Sequence, residues 1–569
     1  MSRKVFVTVL SLGLIIGAGC GGSGSSKGAA DIVFGGMPEL AFVGDEIVLR
    51  AYELWPDGKV EPYIATWSIN SVDVQVERHK HSLFLAHEGS WEIAIRSSDG
   101  RKFQRKIDVY PRVIPNLLVS TNIEKFSTLN TDDNGIPLTE VNGETGYYPI
   151  NISQIAQHYF ASWYVSDDPQ TLRRFLVLAD WLVDNCSYVD QSSCLWLTNL
   201  DVPAYRLPSP WASAMAQGQG ISSLISAYWV TRERVYLDVA RAAISGFQIE
   251  LNNGGFRSSW YGWDYFEEYG SIEAPSRVLN GFLFALAGLW EAKYYLGDVQ
   301  AKSWFQTGVD SLRSNIHLYD LGFTSLYDYS ELKQVASAIG DPPDLYHELH
   351  IVQLLWLQKV TGDPFFEGWA SRFLEYDMGG FSTLPAIREG SAAIVDVQAS
   401  HSIDADSFGS SNLIDGNWTF GRYWSSNRFP VDLHITLDLE AATPHSVGSF
   451  AFVAISDETR PLHFQIFEKG SDETPVYDSL SMTPRAQHFF YYKTRQHEAF
   501  VDVYELERRL SGAELQVRFL SANGPILALR EVAMHFPRAS MLDRISNVLD
   551  ARRTMYLGLD RRIHMDLGE

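Results

Sequence analysis

Ser276 to Leu296 reads SRVLNGFLFALAGLWEAKYYL, and its apolar residues recur at the spacing of an α-helix. Seven other segments repeat that periodicity: Ile152 to Val165, Asp168 to Asn185, Ala212 to Val230, Arg232 to Leu251, Ala301 to Ile316, Leu345 to Val360 and Pro364 to Tyr376. Asp167-Asp168-Pro169 and Gly362-Asp363-Pro364 are start signals, because proline in the first turn lacks only an N–H that has no partner there. Helices in successive antiparallel pairs predict an all-α (α/α) toroid over residues 115–378, with a cleft built from loops at one end. Gly254 to Glu268 and Leu318 to Pro343 interrupt the pattern with aromatic, turn-rich text, and long loops on a rigid frame are where sites sit.

On both sides the period falls to two. Glu46 to Tyr52, Ala65 to Ile69 and Trp91 to Arg96 alternate like strands, with turns at Pro56-Asp57-Gly58 and Asp99-Gly100. With Gly44-Asp45, Trp67 and Gly89-Ser90-Trp91, residues 30–114 resemble a bacterial immunoglobulin-like β-sandwich. Asn412 to Asn417, Asp432 to Leu439, Arg460 to Ile466 and Leu527 to Val532 resemble a discoidin-like β jelly roll over residues 379–540, of a kind that binds glycans through loops at one end. Asp415 with Gly416 is a candidate structural calcium position there, and residues 541–569 read as a helical tail.

At 569 residues the chain exceeds one ordinary domain. Its net charge of −23 argues against nucleic acid, which needs a basic footprint, and requires any cleft for an acidic sugar to be locally basic. Residues 1–29 read as a lipoprotein signal peptide and linker. Ser2-Arg3-Lys4 precedes an apolar run from Val5 to Ile16, and Gly17-Ala18-Gly19-Cys20 places a lipidated cysteine at Cys20, although Gly17 departs from the usual leucine. The expectation is export with a lipid anchor facing periplasm or cell surface, that anchor being the only membrane contact; cleavage and release is the alternative. Cys186 and Cys194 either pair across a short loop or stay as thiols.

The chemistry concentrates in Gly262-Trp263-Asp264-Tyr265-Phe266-Glu267-Glu268-Tyr269, with Tyr327 and Tyr346 in later turns. Phenols and a carboxylate can move protons to and from a carbon beside a carboxylate without metal or cofactor. An ordinary tyrosine is a weak base at neutral pH, so a cation nearby belongs to the expectation. His347 and His350 share a helical face, but no partner is spaced to make them a metal pair; they bond substrate or brace Tyr346. Gln217 and Gln219 either bond sugar hydroxyls or pack beside Gly218 and Gly220. Asn280 either fixes a loop or binds substrate, and Trp263 and Tyr265 either stack on sugars or are buried.

From Gly135 to Phe373 the ordered anchors resemble the D-glucuronyl C5-epimerase family. They include Gly146-Tyr147-Tyr148-Pro149, Gln154 to Gln157, Ala214 to Gln219, Glu267-Glu268-Tyr269, Val278 to Phe282, Leu318-Tyr319-Asp320, Leu326-Tyr327-Asp328 and Tyr346 to His350. The resemblance implies inversion of D-glucuronate to L-iduronate within a heparosan-like uronic-acid polysaccharide, with no cofactor. It implies Glu268 and Tyr269 as proton carriers for one face of the sugar, Tyr346 for the other and Tyr327 completing the cleft. Tyr148, Gln217, Gln219, Trp263, Arg277, Asn280, His347 and His350 then fall on the substrate side, and a homodimer stays open. Eukaryotic members carry an arginine three residues after the tyrosine aligned with Tyr327, where this chain has Ser330; Arg277 either compensates as the grip on the carboxylate or is a plain surface arginine. The alternatives are a polysaccharide lyase, which shares the first proton abstraction, and a non-catalytic glycan-binding lipoprotein.

Overall fold

Asp168 starts a helix as its neighbours suggest: its carboxylate accepts from the N–H groups of Gln170 and Thr171, and Pro169 fills the first turn. In the computed structural model the described residues run from 31 to 559. Positions 37, 39, 57, 71, 79, 101 and 511 are excepted, as are the stretches 97–99, 321–324, 331–345, 375–392, 415–422, 439–446, 470–473, 482–485, 493–496 and 536–537. Cys20 and the export segment lie outside the described residues, as does the Asp415-Gly416 pair. The chain divides between Val109 and Tyr110 into two units.

The first unit holds two antiparallel sheets. One contains β1 (Asp31–Gly35), β3 (Glu46–Leu54), β4 (Val60–Pro62) and β7 (Lys80–Phe84). The other runs β2 (Ala41–Phe42), β9 (Lys102–Tyr110), β8 (Gly89–Arg96), β5 (Ala65–Ile69) and β6 (Val72–Arg78). Alternation places Ile47, Leu49 and Ala51 of β3, Trp67 of β5, and Trp91, Ile93 and Ile95 of β8 in the interior.

The second unit begins with four helix pairs: α1 (Pro149–Ser166) with α2 (Pro169–Asp184), α3 (Ala214–Thr231) with α4 (Arg234–Ser245), α5 (Leu279–Leu296) with α6 (Val299–Asn315), and α7 (Tyr346–Thr361) with α8 (Pro364–Leu374). The first helix of each pair packs on the first helix of the next, α1 on α3, α3 on α5 and α5 on α7. These inner helices are buried on nearly all sides; α3 hides every residue from Ala214 to Trp229. Gly288 sets how closely α3 and α5 meet, since a Cβ on it would stand 2.0 Å from the Gly218 carbonyl oxygen.

Three of the helix limits that differ from the periodicity have a visible cause. The segment before α3 is a strand, β14 (Trp211–Ala212), paired with β13 (Cys194–Thr198), and Ser213 caps the helix by accepting from the Ala216 N–H. Helix α4 stops at Gly246, where a Cβ would lie 2.7 Å from the Cys194 carbonyl. Helix α5 begins at Leu279, not Ser276, because Arg277 adopts a φ of +50° that no α-helix accommodates. Cys186 and Cys194 form a disulfide, bridging β12 (Cys186–Tyr188) and β13.

Two further hairpins, β10 (Leu138–Val141) with β11 (Glu144–Tyr147) and β15 (Arg257–Trp260) with β16 (Trp263–Phe266), lead toward α1 and α5. The described segments entering α1, α3 and α5 thus arrive at the same end of the bundle.

After the helices come two five-stranded antiparallel sheets. One is ordered β17 (Ala393–Ala399), β19 (Val431–Asp438), β25 (Glu514–Ala522), β21 (Pro461–Glu468) and β22 (Tyr477–Asp478). The other is ordered β18 (Trp424–Ser426), β26 (Leu527–His535), β20 (Val447–Ala454), β24 (His497–Leu510) and β23 (Ala486–Tyr492). Phe450 and Phe452 of the second sheet meet Phe464 of the first at 5.6 and 5.0 Å between ring centres, edge to face. Each such ring is fully buried and contributes about 2–3 kcal/mol, so these rings hold the two layers together.

Residues 538–558 form α9 (Arg538–Gly558), which is more than a tail. It packs on α7 and α8, Tyr556 meets Tyr164 of α1 at 5.6 Å, and Lys359 of α7 bonds Asp550 at 2.8 Å. Ile545, Leu549 and Tyr556 are buried, so α9 spans the gap between the first and last helix pairs. Periodicity alone carries no information about a partner more than 150 residues earlier.

Candidate active site

The extension of β16 splits two adjacent carboxylates to opposite sides of the chain. Glu267 is enclosed and fully partnered: Oε1 accepts from Ser258 Oγ at 2.6 Å, and Oε2 from the Arg277 N–H at 2.7 Å and Ser276 Oγ at 3.2 Å. Its backbone is tied as well, the N–H donating to Phe256 and the carbonyl accepting from Ala214 at the start of α3. Burial still raises its pKa, against the pull of these donors. Glu267 therefore pins the strained turn at Arg277, a left-handed conformation costing about 1–3 kcal/mol for a residue with a side chain.

Glu268 faces the other way. It is buried beside the first turn of α5, and its Oε2 has no protein partner among the described residues. Burial pushes its carboxyl up to about 8, opposed by the Tyr269 hydroxyl and reinforced by the negative Asp328. An acid tuned to this range exchanges protons near neutral pH.

Tyr269 stands at the centre. Its hydroxyl is within hydrogen-bonding reach of Glu268, Tyr148 and Tyr327. Tyr327 in turn packs its ring on Tyr346, with centres 4.4 Å apart. The three proton carriers expected from the sequence, Glu268, Tyr269 and Tyr346, thus come together in one cluster with Tyr327. Tyr148 caps α1 and Tyr346 opens α7, while Tyr327 is held by its carbonyl accepting from the Leu279 N–H of α5 at 3.0 Å. The four phenols keep part of their surface open; Glu268 beneath them does not. The helix starts add partial positive charge at this end, which favours an anion.

The expectation of a cation lowering a tyrosine pKa is corrected here. Burial raises Tyr269 and Tyr327 well above 10, and the nearest strong influences on Tyr269 after burial are Glu268, Tyr327 and Tyr148. These two phenols stay protonated at neutral pH, in the form that donates a hydrogen bond.

Beneath Tyr269 lies a pair that sequence reasoning missed. Tyr205 stacks on it at 4.5 Å and 15° between planes, and donates its hydroxyl to Asp328 Oδ2 at 2.6 Å. Both partners are buried. Trp211 supports the Tyr269 ring from another side at 5.6 Å. Asp328 stood in a quoted motif without a role; Tyr205 lies in a Pro-Ala-Tyr turn with no sequence signal pointing to it.

The other candidates divide. Arg277 holds its guanidinium 5.2 Å from the centre of the Trp260 ring, and its charge acts on Glu267, Tyr265 and Tyr319. Its backbone, however, pairs with the tyrosine loop through the Tyr329 N–H, and its Nε has no partner among the described residues. Trp263 is exposed on the β15–β16 hairpin, whereas Tyr265 is buried and bonds Tyr319 at 2.7 Å, so burial is the answer for that ring. Asn280 Oδ1 is buried and unpartnered among the described residues, and its carbonyl ties α5 to Gln353 of α7.

Gln217 and Gln219 resolve toward packing. The Gln217 amide donates to the carbonyls of Cys194 at 2.8 Å and Ala243 at 2.9 Å, joining β13 to α4, and Gln219 lies between α3 and Ser153 of α1. His347 resolves toward bracing. Its Nδ1 accepts from the Ser325 N–H at 3.0 Å, so the proton sits on Nε2, which donates to the Phe373 carbonyl at 2.9 Å. Burial lowers its pKa to about 4, which keeps this neutral form. His350 shares Ser325 Oγ at 2.8 Å. Together they anchor the α7 turn from which Tyr346 projects.

Comparison with known proteins places this geometry in context. Residues 190–375 match the model of the D-glucuronyl C5-epimerase C-terminus. A D-glucuronyl C5-epimerase of Caenorhabditis elegans is 33% identical over 221 residues, covering 36% of this chain and 35% of the worm protein. The chain thus spans about a third of that relative's length. An uncharacterized protein of Methanocaldococcus jannaschii is 28% identical over 247 residues, 40% of this chain and 76% of the archaeal one. Among solved structures, the cellobiose 2-epimerase of Bacillus thermoamylovorans aligns over 45% of this chain and 69% of its own, at 14% identity and a TM-score of 0.33.

Proposed function

Given that residues 190–375 belong to the D-glucuronyl C5-epimerase C-terminal family, we propose that the chain inverts C5 of D-glucuronate to L-iduronate within a heparosan-like polysaccharide. One observation carries this reading: a buried carboxyl poised near neutral pH, within reach of a phenol that connects through Tyr327 to Tyr346. In the forward direction ionised Glu268, working through Tyr269, takes the C5 proton. The electron pair passes into the adjoining carboxylate as an enediolate. Tyr346 then returns a proton to the opposite face, the pair collapses back to C5, and no bond to C4 breaks. The reverse reaction exchanges the two roles.

Charge building on the sugar carboxylate needs compensation. The starts of the inner helices contribute, and Arg277 is the proposed direct partner, on the strength of its unpartnered Nε and its loop pairing with the tyrosine loop. Trp263 is the proposed stacking surface for a neighbouring sugar unit. In this reading the helix pairs are an (α/α) toroid, the first unit is immunoglobulin-like and the last two sheets are discoidin-like. We place the protein outside the cytoplasm on a Cys20 lipid anchor, in keeping with the Cys186–Cys194 disulfide.

The test is incubation with heparosan in heavy water, reading C5 by NMR and chain length by chromatography. Deuterium at C5 with iduronate and intact chains is the expected result, lost in Tyr346→Phe. Unsaturated, ultraviolet-absorbing ends on shortened chains would establish the lyase instead. Binding without any product, unchanged in Tyr269→Phe, would leave only a glycan-binding protein.

A further inference from the structure

The outward face of the sheet containing β17, β19, β25 and β21 carries a groove of about 920 Å³. That lies in the range of small-ligand clefts. The inward residues of these strands, such as Val397, Leu433, Ile435, Val517, Phe464 and Ile466, are core. Their alternates therefore point outward, and the strand register aligns four of them in one row: Gln398 opposite His434, His434 opposite Gln516, and Gln516 opposite Phe467.

This row is chemically specific. Two amides and an imidazole supply donors and acceptors side by side, which is what vicinal hydroxyls require. Phe467 ends the row with an aromatic face. Its position is fixed by Arg518, whose guanidinium lies 5.3 Å from the ring centre and is itself held by Asp432 at 2.9 Å. Lys469 is paired with Glu514. Both cations of the groove are thus already matched to carboxylates, and Asp396 and Glu468 add further negative charge to the lining. A polyanion would meet net repulsion here.

We propose that this groove binds an uncharged oligosaccharide laid across the strands along the row Gln398–His434–Gln516–Phe467. The site is independent of the tyrosine cluster and takes a different class of glycan. The chain then combines chemistry on an acidic sugar with attachment to a neutral polymer.

The experiment uses the full chain, titrated calorimetrically with hexamers of cellulose, xylan, galactan and chitin, and with a hexuronate hexamer as the anionic arm. At least one neutral hexamer binds, and the triple variant Gln398→Ala, His434→Ala, Gln516→Ala weakens it by about tenfold or more. These side chains stand on the solvent face of the sheet, and an unchanged melting temperature confirms that the variant folds. Action on a short soluble uronate substrate stays as in the parent chain. Binding of no neutral hexamer, preference for the hexuronate, or full affinity in the triple variant overturns the proposal.

Discussion

Glu268 Oε2 rests against the backbone of Gly281: a Cβ placed on that glycine would stand 2.1 Å from the oxygen and 2.8 Å from the Glu268 Cβ. The glycine is there because the carboxyl is. Its role is space at the start of α5, and the Leu-Asn-Gly-Phe motif thereby becomes part of the site. Gly281→Ala must push the carboxyl aside. A displacement of about 1 Å at a reacting group costs on the order of 100-fold in rate, and overpacking costs about 1–3 kcal/mol in stability. Adding Glu268→Ala in the same chain should recover part of the melting temperature and none of the activity. Equal stability losses in the single and double variants would show that the collision is with something else.

The raised carboxyl makes a signed pH prediction. Glu268 goes from 4.5 toward about 8 on folding, so the folded state holds its proton more tightly. Its contribution to stability is complete below pH 4.5 and is lost as pH rises to about 8, at roughly 1.4 kcal/mol for each pH unit between the two. Glu268→Gln has nothing to ionise, and its melting temperature should gain on the parent between pH 5 and 9. Parent kcat/KM should rise with pH through about 8, as the basic form appears, while Glu268→Gln stays low and flat. Glu291, also buried on α5 and also raised to about 8, supplies the control. Glu291→Gln should repeat the stability effect and leave the pH–rate profile in place.

Tyr205 supports the Tyr269 ring from below and is itself held by Asp328. Removing the Asp328 charge takes away one influence that raises Glu268. Asp328→Asn should therefore move the acid limb of kcat/KM to lower pH, a change that a purely structural residue would not produce. Tyr205→Phe keeps the stacked ring and loses a buried hydrogen bond, about 1–3 kcal/mol of stability. Tyr205→Ala also frees the Tyr269 ring and should cost much more in kcat than Tyr205→Phe. Equal kcat losses would mean that the hydroxyl alone matters.

How far the sequence carried differs by element, for physical reasons. Helix periodicity located all eight helices of the paired frame, because a helix buried on an inner face must repeat near 3.6 residues. It missed the start of α5, where Glu267 captures the turn at Arg277 through tertiary hydrogen bonds. Family motifs brought Glu268, Tyr269, Tyr327 and Tyr346 forward, and the fold assembles them from two separate loops and a helix start. The same motifs gave Glu267 no role, since its place beside the Arg277 turn follows from strand alternation and tertiary hydrogen bonds. Tyr205 was invisible because it meets Tyr269 only in space, and α9 because its partners precede it by a whole β-sandwich. The tyrosine acidity was misjudged because burial acts on these phenols more strongly than any neighbouring cation does.

Gln217 gives the sharpest separation of binding from packing. Its amide gives two hydrogen bonds, to the carbonyls of Cys194 and Ala243, inside a fully buried wall. Gln217→Ala removes the side-chain donor to both carbonyls; that of Ala243 keeps the Gly246 N–H, while a buried acceptor left without a donor costs about 1–3 kcal/mol. The expected outcome is a lowered melting temperature with KM for the polysaccharide unchanged wherever the variant remains folded. Gln217→Glu should be worse, since a carboxylate facing two carbonyl oxygens supplies no donor when ionised. A raised KM at unaltered stability would return Gln217 to the substrate side and contradict the packing role.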